Sequence, residues 1–172
     1  MRYLFIISST ILLLSCTANF QQIDLTGKPQ AKLDSRGKVL IVTPQDGRYG
    51  TINYSGSGQM TSQEIMSAFA RHTKHVSITT ACSSIDSCLN KAKENGHSYL
   101  VYPEVLHWEE RATEWSGIPD RIEVKITLLA VDNGEIIHSA ILSGRGKWAA
   151  LKWDHPQDLL SRPINTYVSS LY

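Results

Sequence analysis

Residues 38–44, which read Lys-Val-Leu-Ile-Val-Thr-Pro, constrain the fold more than any other segment of this chain. Four consecutive apolar residues closed by a proline are typical of a strand that is buried on both faces of its sheet. This run therefore favours an α/β domain, in which helices pack against a largely parallel sheet.

The segments after this run alternate between helical and extended patterns. Thr61 to Glu64 has the spacing of a capping box, and Ser84 precedes an apolar stripe that stops at Asn95 and Gly96. Residues 45–60 contain Gly-Ser-Gly but neither the lysine of a P-loop nor a full glycine fingerprint, so we expect a flexible surface loop. The predicted order is strand 38–44, helix 62–73, strand 75–80, helix 84–95 and a strand from residue 99.

The second half of the chain has the pattern of an antiparallel hairpin. Residues 122–128 alternate between apolar and polar side chains, and Asn133-Gly134 is the strongest signal for a type I′ turn. The segment from Glu135 to Trp148 is predicted to return beside it, and Pro156 opens a C-terminal helical region. We therefore predict one α/β domain over residues 38–172, with a mixed sheet of about five strands and a C-terminal helix.

The first sixteen residues have the pattern of a bacterial lipoprotein signal. Arg2 precedes an apolar stretch of twelve residues, which is too short to span a bilayer but suits a signal peptide. Leu13-Leu14-Ser15-Cys16 resembles a lipobox, although Leu14 is an unusual occupant of its position, and an ordinary signal with a coincidental Cys is the alternative. We predict a signal peptide over residues 1–15 and lipidation of Cys16 by acyl chains such as palmitate. By the sorting rule of Gram-negative lipoproteins, Thr17 favours the outer membrane, with the protein facing the periplasm.

Residues 16–37 are predicted to form a polar tether with no sustained periodicity. A flexible segment of some twenty residues reaches roughly 25 Å, which does not cross to the cell wall. Removal of the leader takes Arg2 away and leaves 16 basic and 16 acidic residues. This balance argues against a nucleic-acid binder, and a mean hydropathy of -0.18 excludes a multi-pass membrane protein.

Two cysteines remain once Cys16 is lipidated. Cys82 and Cys88 lie six positions apart, one after a predicted strand and one early in a predicted helix. The oxidising periplasm favours a disulfide between them, and two unpaired buried cysteines are the alternative.

The most distinctive segment covers residues 107–120, which hold two Trp and three Glu within eight positions. Trp rings, carboxylates and a guanidinium are the groups that bind sugars or partner proteins, so this segment is a candidate recognition surface. In the structural alternative, the Trp side chains fill the end of the sheet and Arg111 pairs internally. The candidate binding residues are Trp108, Glu109, Arg111, Glu114 and Trp115, with Trp148 and Trp153 on the same rim.

The sequence offers no candidate for a metal site or a cofactor. The six His are scattered, and none has the spacing of a zinc site. His155 lies in a turn before Pro156 that is expected to cap the last helix rather than to bind a ligand.

From about Tyr99 to its end, the chain resembles a family of Gram-negative lipoproteins with no assigned activity, domain of unknown function 4823. The resembling stretches are residues 107–120 and 155–160 with Pro163-Ile164. The predicted architecture is also similar to the periplasmic domains of the lipoprotein activators of penicillin-binding proteins and of the curli secretion lipoprotein. This likeness implies binding to other envelope proteins, although the tether is short for an activator that must reach through peptidoglycan.

These observations predict an outer-membrane lipoprotein that is a binding or assembly module of the envelope and not an enzyme. Its expected partners are the membrane, through Cys16, and envelope proteins, with peptidoglycan as an alternative ligand. A periplasmic glycan hydrolase that uses Glu109 and Glu114 is the alternative from another class. A third possibility is a structural component of the envelope with no discrete site.

Overall fold

The computed structural model describes residues 19–27, 32–110, 118–146 and 155–172. In chain order the elements are β1 (Asn19–Asp24), β2 (Val39–Val42), β3 (Arg48–Tyr49), β4 (Ile52–Asn53), α1 (Ser57–Phe69), β5 (Val76–Thr79), α2 (Ile85–Glu94), β6 (Tyr99–Glu109), β7 (Arg121–Ala130), β8 (Ile136–Arg145), a 3-10 helix (Pro156–Leu159) and α3 (Ser161–Leu171).

The main sheet has six strands in the order β1-β8-β7-β6-β2-β5, and β3 and β4 form a separate small hairpin. Strand β2 pairs in parallel with both β5 and β6, whereas β6, β7, β8 and β1 pair antiparallel. The predicted α/β class, mixed sheet and C-terminal helix are confirmed, with six strands instead of about five.

Helices cover the two faces of the sheet unequally. Helices α1 and α3 pack on one face, over a core that includes Ile41, Val101 and Ile126. Helix α2 packs on the other face, where Cys88 and Ala92 meet Leu40 and Leu100. The part of this second face that is formed by β1, β8 and the first half of β7 has no helix on it in the described part of the chain. We call this part the open face.

Helix α1 begins five residues earlier than the capping-box spacing predicts. Thr61 is buried inside the helix, and its Oγ1 donates a hydrogen bond of 2.8 Å to the carbonyl oxygen of Ser57. The first turn is instead held by Asp46, whose Oδ1 accepts from the backbone N–H of Gly58 at 2.9 Å. A carboxylate at the start of a helix satisfies amide groups that have no partner within the helix. The expected loop before α1 also contains the β3–β4 hairpin.

The cap of α2 confirms the prediction from the sequence. The Ser84 Oγ accepts a hydrogen bond from the backbone N–H of Ser87, and the Ser87 Oγ accepts one from the backbone N–H of Ser84. The start of this helix is therefore encoded locally.

The hairpin between β7 and β8 is confirmed, but its predicted turn type is wrong. A type I′ turn needs positive φ at both central residues. Gly134 has a φ of 75°, whereas no non-glycine residue in the described ranges has a positive φ. The Asn133 Oδ1 instead accepts a hydrogen bond from the Glu135 N–H at 3.0 Å, and the loop extends from residue 131 to 135.

The predicted tether contains a strand of the sheet. Strand β1 pairs with β8 over six residues, from Asn19 opposite Arg145 to Asp24 opposite Ala140. Phe20 packs against the core, and this contact outweighs the polar composition of the strand. Leu33 is also buried, and its N–H donates to the Leu171 carbonyl at 2.9 Å. Folded structure thus begins at least as early as Asn19.

Candidate functional site

A β-bulge controls which side chains β6 presents at its C-terminal end. The register of β6 with β7 shifts between Val105 and His107, so that Leu106 is the extra residue. Val105 and Trp108 consequently face the same side of the sheet, the side covered by α1 and α3. The bulge is what turns His107 and Glu109 onto the opposite side, beside β7.

Trp108 is a core residue and supplies packing rather than exposed contact area. Its side chain is 1% exposed. The backbone of Gly47 approaches it so closely that a Cβ built on this glycine lies 2.5 Å from the Trp108 Cβ. For Trp108, the structure therefore fits the alternative in which the indole fills the sheet, and it corrects the expectation of a surface contact. The candidate pair Trp108 and Glu109 belongs to a strand and not to a connecting loop.

Glu109 is a buried carboxylate at the end of the open face. It is 7% exposed, and its Oε2 lies 2.9 Å from the His107 Nε2. The His107 ring makes an edge contact with Tyr49 of the small hairpin, with 5.2 Å between ring centroids. Strand β6 and the small hairpin thus hold this carboxylate in place from one side.

Arg121 lies directly opposite Glu109 on β7 and bonds to Glu123 on the same strand. On the next strand Arg145 lies opposite Arg121, and on the last strand Asn19 lies opposite Arg145. One row across four strands therefore carries a carboxylate, two guanidiniums and an amide. We call this end of the sheet, where β6 and β8 end and β1 and β7 begin, the distal end.

These side chains line a polar cavity of about 440 Å³, which we call the open-face cleft. Charged and amide groups form its walls, and a single strongly apolar side chain, Ile118, lies at its rim with 45% exposure. The cleft contains both positive and negative side chains at one end of the sheet. Such side chains can bind a polar surface through directed hydrogen bonds. Its lining residues are Asn19, Gln21, Glu109, Ile118, Pro119, Arg121, Glu123, Ser143, Gly144 and Arg145.

Several residues predicted from the sequence lie outside the described residues. They are Cys16, Arg111, Glu114, Trp115, Trp148 and Trp153. Of the predicted contact residues that the structure does describe, Glu109 lines the cleft and Trp108 does not. The sequence analysis missed Arg121 and Arg145, because strand pairing rather than chain proximity brings them beside Glu109.

A second cavity of about 440 Å³ lies at the C-terminal ends of β2 and β5. Its lining includes Asp46, Tyr102 and Cys82. Cys82 is bonded to Cys88, so the predicted disulfide is present, and it joins the end of β5 to the first turns of α2. Asp46 is committed to the first turn of α1, and Glu104 of the same lining bonds to Lys125.

His155 begins the last helical region as the sequence predicts. Its N–H donates to Asp158 at 3.1 Å, and the 3-10 helix starts at the next residue. Its ring Nδ1 lies 3.3 Å from Glu110, so this turn also contacts the end of β6. In the described ranges, no group of three His, Cys, Asp or Glu side chains is placed to hold a metal ion.

Within the residues described, no helix combines the length and apolar character required to cross a bilayer.

The fold and the cleft define a single α/β domain whose mixed sheet is left partly bare on one face. The chain belongs to the family described as Domain of unknown function (DUF4823), whose model matches residues 31–171. The predicted family membership is thereby confirmed. No curated protein matches the sequence.

Solved structures with low sequence identity share the fold. The PelC dodecamer from Paraburkholderia phytofirmans matches with a TM-score of 0.66 at 18% identity, over 90% of this chain and 97% of that chain. Lipoprotein GNA1162 from Neisseria meningitidis matches with a TM-score of 0.51 at 14% identity, over 78% of this chain and 94% of that chain. A weaker similarity joins this chain to the LpoB C-terminal domain from Salmonella enterica, with a TM-score of 0.40 at 19% identity, over 65% of this chain and 85% of that chain. The fold thus occurs in a bacterial lipoprotein, GNA1162.

Proposed function

We propose that this protein is an outer-membrane lipoprotein, lipidated at Cys16 and facing the periplasm, that binds another envelope protein on its open face. The lipobox-like sequence supports the anchor, and the lipoprotein GNA1162, which has the same fold, supports the class. Several acyl chains on one cysteine hold a protein on a membrane effectively permanently. The domain then acts on what it contacts at that surface.

The observation that carries the proposal is the open-face cleft. Complementary charges on Glu109, Arg121 and Glu123 lie on a sheet face that no described helix covers. An apolar group on the same face accompanies these charges, because Ile23 of β1 is 54% exposed. Charges flanked by exposed apolar side chains are the composition of a protein-protein interface.

A protein partner fits the cleft better than a glycan does. Sugar rings stack on exposed aromatic faces, and none of the described residues that line the cleft is aromatic. Trp108, which precedes the lining residue Glu109, is buried. Ionic and hydrogen-bonding groups of a folded protein are the more suitable complement to this lining.

The test is photo-cross-linking in intact cells. A photoreactive residue at Gln21, an exposed position that lines the cleft, should capture one identifiable envelope protein. A matched variant with the same residue at Ser169, exposed on α3, should not capture it. Arg121→Glu, combined with the probe at Gln21, should abolish the adduct because it reverses the central charge of the row.

Other outcomes would contradict this function. Equal capture at both positions, or none at either, would remove the open face as the binding surface. An adduct of the chain with itself would indicate a homo-oligomer, the state that PelC is described in. Release of muropeptides by the purified protein, lost in Glu109→Gln, would make the protein a glycan hydrolase instead.

A further inference from the structure

The chain between Cys16 and the sheet is very short. Strand β1 begins at Asn19, only three residues after Cys16, and Asn19 lies at the distal end opposite Arg145. An extended chain spans at most about 3.6 Å per residue, so the Cα of Cys16 is within about 11 Å of this end. If Cys16 carries the lipid, as proposed above, the distal end lies at the membrane surface.

Two arginines are exposed at the distal end. Arg145 and Arg162 are exposed, and neither has a carboxylate within ion-pair distance among the described residues. The Arg162 guanidinium carbon lies 5.3 Å from the centre of the Phe20 ring, which keeps it beside the start of β1. Arginines at such a position attract the phosphates of lipid headgroups.

Among the carboxylates at the same end, Asp120 is buried, Asp158 accepts a hydrogen bond from the backbone N–H of His155, and three glutamates have side-chain partners. Glu109 is buried and bonded to His107, Glu123 is bonded to Arg121, and Glu110 is bonded to His155. The charge of Glu123 is therefore offset by Arg121, and Arg145 and Arg162 add two exposed positive charges at this end.

An exposed apolar side chain accompanies these arginines. Ile118 lies just before β7 and is 45% exposed. An apolar residue flanked by basic ones is the composition of protein surfaces that lie in the headgroup region of a bilayer.

We propose that the distal end of the sheet docks directly on the membrane that holds the lipid anchor, with Arg145 and Arg162 on headgroup phosphates and Ile118 at the boundary with the acyl chains. The strands then stand on the membrane, and the β7–β8 turn at residues 131–135 points away from it. The open face is then perpendicular to the membrane, and only partners at the membrane surface can reach its distal end.

The experiment uses the full-length lipidated protein in vesicles of phosphatidylethanolamine and phosphatidylglycerol. An environment-sensitive fluorophore is attached to Ile118→Cys, and in a matched variant to Asn133→Cys in the turn at the opposite end. A headgroup spin-labelled lipid should quench the fluorophore at position 118 and shift its emission to the blue. Neither effect is expected at position 133.

Charge reversal tests the role of the arginines. Arg145→Glu with Arg162→Glu should cause loss of quenching at position 118, because the distal end then becomes negative. Arg71→Glu with Lys74→Glu makes the same change in charge at exposed positions near the other end, and it should leave the quenching unchanged. An equal effect of the two pairs would overturn the assignment of the arginines to headgroup phosphates.

Flotation of the vesicles separates this inference from the function on which it rests. A protein that floats with the vesicles but shows no quenching at position 118, or shows equal quenching at both positions, is anchored without docking. That result overturns the inference and leaves the proposed function intact. A protein that is not lipidated and does not float overturns both.

Discussion

The Nε2 of His138 lies 2.7 Å from the carbonyl oxygen of Gly27, and thereby joins the segment after β1 to the centre of the domain. A carbonyl oxygen only accepts hydrogen bonds, so Nε2 must carry the proton. The Nδ1, 3.3 Å from the Tyr167 hydroxyl, is then the acceptor, and the tyrosine donates to it. One buried histidine thus connects β8, α3 and the N-terminal segment.

We expect His138→Ala to destabilise the domain by roughly 2–4 kcal/mol, because it leaves a cavity and removes the partner of the buried Tyr167 hydroxyl and of the Gly27 carbonyl. Tyr167→Phe removes a single hydroxyl and should cost about 1 kcal/mol. Urea denaturation followed by circular dichroism measures both. A smaller loss for the histidine variant than for the tyrosine variant would show that the bond to Gly27 contributes nothing.

Gly47→Ala is expected to destabilise the fold by about 1–3 kcal/mol, through a clash with a buried side chain. The added Cβ lies 2.5 Å from the Trp108 Cβ and 2.8 Å from a Val105 methyl group. Gly146→Ala is the matched control, since its nearest contact is an ordinary 3.5 Å. Thermal unfolding of the two variants compares them, and equal melting temperatures would contradict the close packing at Trp108.

Removal of the disulfide should lower the free energy of unfolding by about 2 kcal/mol, the value expected for closing so short a loop. The variant to use is Cys82→Ser with Cys88→Ala, since Cys88 is fully buried and Cys82 is half-buried. Urea titration of the native protein with and without reductant provides the second comparison. Alkylation of both cysteines in the unreduced folded protein would rule out the bond.

Alkaline pH should destabilise the domain through Tyr167, which is buried, and Tyr172, which is half-buried. Burial raises the pKa of Tyr172 to about 12, and burial raises that of Tyr167 still further. Because the folded state favours the protonated phenol, this contribution is complete below the ordinary pKa near 10 and is lost as the pH rises through 12.

Tyr172→Phe should therefore weaken the loss of stability between pH 10 and pH 12. The Tyr172 hydroxyl is buried and has no hydrogen-bond partner in the described part of the chain, so the variant should be neutral or slightly stabilising at pH 7. Denaturation midpoints at pH 8 and pH 11 measure the difference. An unchanged pH dependence would show that the ring ionises as freely in the folded state as in the unfolded one.

Patterns that are local in sequence predicted most of the fold. The apolar run at β2, the Ser84 cap and the alternation along β7 each depend on neighbouring residues, and each element is present. The turn type at Asn133 was a local error, whereas two other errors arose where a residue outside the segment decides the structure. Asp46 supplies the start of α1 from another loop, and β8 recruits β1 into the sheet.

The candidate site was predicted less well, and the bulge at Leu106 is one physical reason. One extra residue reverses the phase of β6, so the alternation in sequence does not tell which face Trp108 and Glu109 occupy. Arg121 and Arg145 have no motif of their own, and only the antiparallel register places them beside Glu109. The sequence gives the residue types in this row, but it does not give the strand register that places them next to one another.

The pairing of β1 with β8 also has a mechanical consequence. Six residue pairs, from Asn19–Arg145 to Asp24–Ala140, link the two strands. A force that pulls Asn19 along the strand direction loads these pairs in shear, so their hydrogen bonds share the tension rather than break one after another. The domain can therefore bear strain between its point of attachment and a bound partner without peeling away from its own first strand.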